Sequence, residues 1–126
     1  MQNSKKDILL WTTSEKLLIR LEIILPKNEV MPINEALKQI NVGGLTVSKK
    51  RGRGKNPPPE IHAAKGTEVF VPQFGDKYVL EVLIPESMEE QAIKIIRENS
   101  TQGKIFVHPV LRTIDIKTGL EGEKAI

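Results

Sequence analysis

The stretch Leu18-Ile-Arg-Leu-Glu-Ile-Ile-Leu25 alternates apolar and polar residues and then turns wholly apolar. A period of two with many β-branched residues predicts a strand with at least one buried face. Pro26 has no amide hydrogen to give to a ladder and ends it. Ile33, Ala36, Leu37 and Ile40 then recur at i, i+3, i+4 and i+7. That spacing puts one apolar stripe along a helix. Pro32 fits a first-turn position, and Gly43-Gly44 is the expected stop.

The same order returns downstream. Leu45-Thr-Val-Ser48 begins a second strand and runs into Lys49-Lys-Arg-Gly-Arg-Gly-Lys55. Residues 51–75 are broken by Gly52, Gly54, Gly66, Gly75, Pro57, Pro58, Pro59 and Pro72. A segment this long without firm periodicity is expected to be a functional or a disordered loop. Pro57-Pro-Pro59 reads as a stiff spacer that holds the loop extended. Within it, residues 67–71 could pair as a short strand. Lys77-Tyr-Val-Leu-Glu-Val-Leu-Ile84 is a clear strand closed by Pro85. Ser87 and Glu90 have the spacing of a capping box, and Met88, Ala92, Ile95 and Ile96 supply the apolar face of a second helix. Ser100-Thr-Gln-Gly103 turns the chain into a strand at Lys104-Ile-Phe-Val-His-Pro-Val110, and Ile114-Asp-Ile-Lys117 reads as a further extended piece.

The order β-α-β, long loop, β-α-β predicts an α+β, ferredoxin-like βαββαβ domain with a four-stranded antiparallel sheet. Both helices would lie on one face, so the other face needs a cover. One Trp, one Tyr and three Phe fill little space, and self-association would cover the open face. Residues 1–17 read as an N-terminal extension and residues 18–126 as the domain.

Composition narrows the function. The chain of 126 residues has a net charge of +3 and no cysteine. Disulfides, thiolate metal sites and a thiol nucleophile are therefore excluded. The absence of cysteine suits a reducing compartment. Near the N-terminus the longest apolar run is Ile8 to Trp11, against about 7–15 residues for a secretory core. A cytoplasmic protein without membrane insertion is expected. No Ser-His-Asp set or close carboxylate pair is visible, which argues against an enzyme. His62 and His108 stand alone and read as surface or core residues rather than metal ligands, and no metal site is assigned. Glu81 reads as a solvent-side or interface charge. Lys49, Lys50, Arg51, Arg53 and Lys55 crowd together without an interleaved aromatic, so a nucleic-acid partner is not expected.

Gly44-Leu-Thr-Val-Ser-Lys-Lys-Arg-Gly-Arg-Gly-Lys55 resembles the root of the signalling T-loop in the nitrogen-regulatory P-II family. Gly103-Lys-Ile-Phe-Val107 is similar to the end of that family's B-loop signature. Thr118-Gly119, with an acidic tail ending in Ala125-Ile126, is similar to its C-loop and C-terminus. The resemblance covers roughly residues 19–126 and implies a homotrimer with a T-loop at about residues 51–75. It implies ATP or ADP as ligand in the clefts between subunits, with 2-oxoglutarate and Mg as further ligands in many members. The target would be a protein such as an ammonium transporter or a nitrogen-assimilation enzyme. Ile23, Thr46 and Leu83 would surround the base. Gly52, Gly54 and Lys55 would approach the phosphates from the T-loop root, Gly103 and Lys104 from the B-loop, and Lys117 from the C-loop. Lys77 and Asn56 would serve the effector, Lys77 through a 2-oxoglutarate carboxylate. Glycines let backbone amides close on an anion, and lysines add point charges.

The chain also departs from the family pattern. Its B-loop is shorter, Asp115 stands where the family has a phosphate-binding Arg, and Asn56 replaces a Gln. Val69 occupies the position of a Tyr that some relatives modify. These differences support an alternative, a divergent trimer with altered or lost nucleotide binding that acts as an interaction module. A basic-loop nucleic-acid binder is the third reading.

Overall fold

A computed structural model describes residues 18–54 and 73–126, together with the backbone of residues 61–62 and 69–70. The expected N-terminal extension, and Lys55 and Asn56, lie outside the described residues. The elements are β1 (Leu18–Leu25), α1 (Lys27–Gln39), β2 (Thr46–Gly52), β3 (Ile61–His62), β4 (Val69–Phe70), β5 (Gly75–Pro85), α2 (Glu89–Glu98) and β6 (Lys104–Val110). The main sheet has the order β2-β5-β1-β6, and every neighbouring pair is antiparallel. This is the expected ferredoxin-like arrangement. β3 and β4 form a separate antiparallel pair, so the short strand foreseen within residues 67–71 is present.

Register divides the sheet into two unlike faces. Ile19 stands opposite Ile84, Leu21 opposite Val82 and Ile23 opposite Leu80. These six are essentially inaccessible and form the core with Leu25, Ile33, Leu37, Ala92 and Ile96. Both helices turn their apolar stripes onto this face. Each Leu or Ile fully buried there contributes about 1.5–3 kcal/mol relative to exposure. On the opposite face Ile24 pairs with Val79, Glu22 with Glu81 and Arg20 with Leu83. Lys104, Phe106 and His108 of β6 continue those three rows. Like charges set opposite each other in a sheet repel. Here Arg20 Nη1 lies 2.8 Å from Glu81 Oε2, and His108 Nε2 lies 2.9 Å from Glu22 Oε1. Each glutamate thus has its own basic partner.

Four local expectations are corrected. Pro32 is inside α1 rather than in its first turn, because the helix begins immediately after Pro26. The missing amide frees the carbonyl of Asn28, and Asn28 and Pro32 are both exposed, so water can take that carbonyl. α1 ends at Gln39 and is stopped by Asn41 rather than by Gly43-Gly44. Asn41 adopts φ 66°, its N–H donates to Lys38 O at 3.0 Å, and the Val42 N–H donates to Leu37 O at 3.0 Å. These two bonds make a Schellman motif with Asn in the left-handed position, and the buried Val42 follows it inward. The Ser87–Glu90 capping box does not form. A 3-10 turn over Glu86–Met88 already carries the chain into helical geometry, and no side chain caps it. Finally, Ile114 makes only an isolated bridge to Glu121, and the expected strand there is a tight turn.

Candidate functional site

A cleft of about 420 Å³ opens where β1, α2 and β6 converge. Its floor is apolar, from Ile23, Leu25, Ile96 and Ile105; Arg97 borders it, and Lys104 borders it at the start of β6, where register turns the lysine side chain toward the helix-free face. Residues 100–103 complete the wall. A cation beside an apolar floor suits a ligand with a flat apolar part and an anionic part.

The wall is held by tight backbone geometry. Gly103 has φ 123°, and a Cβ at this position would overlap the carbonyl oxygen of Ile24. Only glycine lets the chain leave the turn this close to β1. The rest of the turn is fixed by Glu29, a buried residue in the first helical turn of α1. Ser100 Oγ donates to Glu29 Oε2 at 2.7 Å, closer than its 3.1 Å approach to Gln102 O. Thr101 donates to Glu29 Oε1 through its N–H at 2.9 Å and through a short bond from its hydroxyl. The Thr101 hydroxyl is the largest cause of a carboxyl pKa below the ordinary value of 4.5. Ser100 and the amides of Thr101 and Gln102 add to the shift, and burial opposes it.

The sequence-based residues fall into groups. Ile23, Gly103 and Lys104 come together in the cleft, with Ile23 buried in its floor. Gly52 and Lys77 lie at the same end of the sheet: Gly52 pairs with Gly75, and Lys50 pairs with Lys77. A Cβ on Gly52 would sit 3.5 Å from the Lys77 stem, so this glycine leaves the lysine room. Gly54 is exposed just beyond β2. Thr46 and Leu83 are not brought to Ile23. Register places them on the helix-free face, whereas Ile23 points to the helices. Successive pairs along a ladder alternate between the two faces of the sheet. Lys117 is exposed beyond the far end of β6 from Lys104. Within one copy the expected base-binding set is therefore divided.

Asp115 has a structural role. Its Oδ1 accepts from Thr118 N at 2.8 Å and Thr118 Oγ1 at 3.0 Å, which closes the turn that presents Ile116 and Lys117. The backbone N–H of Thr118, then its hydroxyl, holds this carboxyl below its ordinary pKa. Sequence reading missed Glu29, Arg97, Ser100 and Thr101. Arg97 carried one usable signal, a cation in the last turn of a helix next to Gly103-Lys104. Glu29 carried none, being 71 residues from Ser100. Among the described residues no group of His, Asp and Glu could hold a metal ion.

Residues 18–120 match the family described as Nitrogen regulatory protein P-II. The chain belongs to the P-II family. It is 33% identical over 112 residues to a nitrogen regulatory protein P-II of Haemophilus influenzae, covering 85% of this chain and 98% of the relative. It is 31% identical, with the same coverage, to a P-II protein of Azospirillum brasilense. Among solved structures, Arabidopsis thaliana PII bound to citrate is similar with a TM-score of 0.68 and 29% identity, covering 87% of this chain and 92% of that one. GlnK of B. subtilis in complex with ATP shares the fold with a TM-score of 0.69 at 23% identity, covering 87% and 98%. P-II proteins are regulatory signal-transduction proteins, and a trimeric state is typical of them. The expected family and fold are thus both found. No described helix is long and apolar enough to cross a membrane.

Proposed function

We propose that this P-II protein is a cytoplasmic, non-enzymatic homotrimer that binds ATP or ADP in the clefts between subunits and regulates a target protein through the loop at residues 51–75. The target class is an ammonium transporter or a nitrogen-assimilation enzyme. One observation carries this reading. The cleft at Gly103 and Lys104 is lined in a single copy without Lys117, the cation expected from the C-terminal turn, which follows β6 in sequence. A seven-residue strand spans roughly 20 Å, so a second copy is the economical source of a C-terminal cation. The sheet face without helices is the surface on which such copies would meet. The ATP complex of a protein with this fold supports the choice of ligand.

In this arrangement Ile23, Thr46 and Leu83 serve the base from two different subunits. Gly52, Gly54, Lys55, Gly103, Lys104 and Lys117 serve the phosphates, and Asn56 and Lys77 would receive 2-oxoglutarate with Mg. Sedimentation analysis with calorimetric titration of ATP and ADP tests it. A trimer that binds either nucleotide is the expected result. A monomer, or a trimer that takes up neither, refutes it.

A second reading has its own observation. Glu29 and Asp115 are carboxylates at the two turns that should receive phosphates. A trimer acting only as an interaction module would capture its partner from lysate equally well with and without ATP and 2-oxoglutarate. A ligand-gated regulator would not.

A further inference from the structure

The turn at residues 100–102 is a preformed cradle for an anion. Two hydroxyls and the amide of Thr101 converge on one carboxylate. Convergent backbone amides and hydroxyls are what phosphate oxygens seek. In this chain the anion is internal. Glu29 comes from α1, is buried at 8% exposure, and is not part of the cleft wall. Ser100 and Thr101 line the cleft while their donors are occupied by Glu29. What remains to hold a ligand's anionic part is side-chain charge, with Arg97 bordering the cleft.

We propose that Glu29 is a specificity-determining residue: an internal stand-in for phosphate that fills the cradle at residues 100–102 and so makes the cleft nearly indifferent to the number of phosphates on its ligand. This rests on the nucleotide reading given above. Side-chain cations alone reward each added phosphate weakly, because long flexible lysine and arginine side chains are hydrated and screened. A backbone cradle rewards it strongly, because its donors are already in place. The cleft thus accepts a monophosphate nucleotide about as well as a triphosphate, and Glu29 causes that indifference.

Two measurements test this. In calorimetry, AMP, ADP and ATP are titrated into the wild-type trimer and the Glu29→Ala variant. The wild type is expected to bind all three within about threefold, and E29A to favour ATP over AMP by about tenfold. A wild type that already prefers ATP by tenfold, with no change in E29A, overturns the proposal. The second measurement does not depend on nucleotide binding. Inorganic pyrophosphate is titrated into amide-labelled wild type, E29A and Glu29→Gln. Shifts at the amides of Thr101 and Gln102 in E29A, smaller shifts in E29Q and none in the wild type support it. Shifts in all three proteins, or in none, refute it. E29Q keeps an acceptor under the turn and so serves if E29A does not fold. Absence of any nucleotide binding alongside the expected pyrophosphate shifts would reject the nucleotide cleft and keep the cradle.

Discussion

Two turns of this molecule are each organised around one carboxylate, and they differ in where that carboxylate comes from. The turn at residues 100–103 borrows Glu29 from a helix 72 residues away from Thr101. The turn at residues 115–119 uses its own Asp115, bonded to Thr118 three positions on. The first acid is buried and ties α1 to the start of β6. The second is on an exposed turn and fixes only its own loop. A distant buried partner makes a turn part of the tertiary structure, whereas a local one leaves it an appendage. Disturbing the first should be felt throughout the domain, and disturbing the second should stay local.

The largest effect is expected from Gly103→Ala. It adds positive-φ strain and an overlap with the Ile24 carbonyl, for a loss of about 3 kcal/mol or more in denaturant unfolding. Next is Glu29→Ala, which removes a charged acceptor from several donors and should cost about 1–3 kcal/mol in the same measurement. Equal stability of E29A and wild type would erase the contrast between the turns.

Acid sharpens the comparison. Glu29 titrates lower when folded than its ordinary value of 4.5. The unfolded chain therefore takes up the proton first as pH falls. The stabilisation is fully present above that ordinary value and is lost as pH drops through the lower folded one. Glu29→Gln should flatten this part of the stability profile, and an unchanged profile would contradict it. Thr101→Ala, which removes one hydroxyl, should cost about 1 kcal/mol. Asp115→Ala comes last. Amide exchange at Thr118 and Gly119 should speed up while the global unfolding midpoint barely moves. A midpoint shift as large as that of E29A would show that the C-terminal turn is as integral as the other.

The same distinction governs what could be read from the sequence. Periodicity placed β1, β2, β5, β6 and both helices, because alternate burial in a strand and the i, i+3, i+4 stripe in a helix are local properties. The family was legible in Gly44 to Lys55 and in Gly103 to Val107. Helix ends were misread where a weaker local signal prevailed. Asn41 can hold a left-handed cap as Gly can, and the 3-10 turn after Pro85 pre-empted the capping box. Of the cleft, Gly103 and Lys104 were visible because they are adjacent in sequence. Glu29 was not, because its role exists only after α1 has packed beside the turn. The division of Thr46 and Leu83 from Ile23 depends on strand register, which sequence leaves open until partners are paired.

The helix-free face carries Arg20, Glu22, Glu81 and His108 in two close pairs within one copy. Any surface laid over it meets an ion pair and a histidine–carboxylate hydrogen bond already closed rather than four polar groups awaiting complements. Dehydrating a matched pair is less unfavourable than stranding a lone charge. A covering neighbour is therefore free to be apolar there, and shape rather than charge can select it.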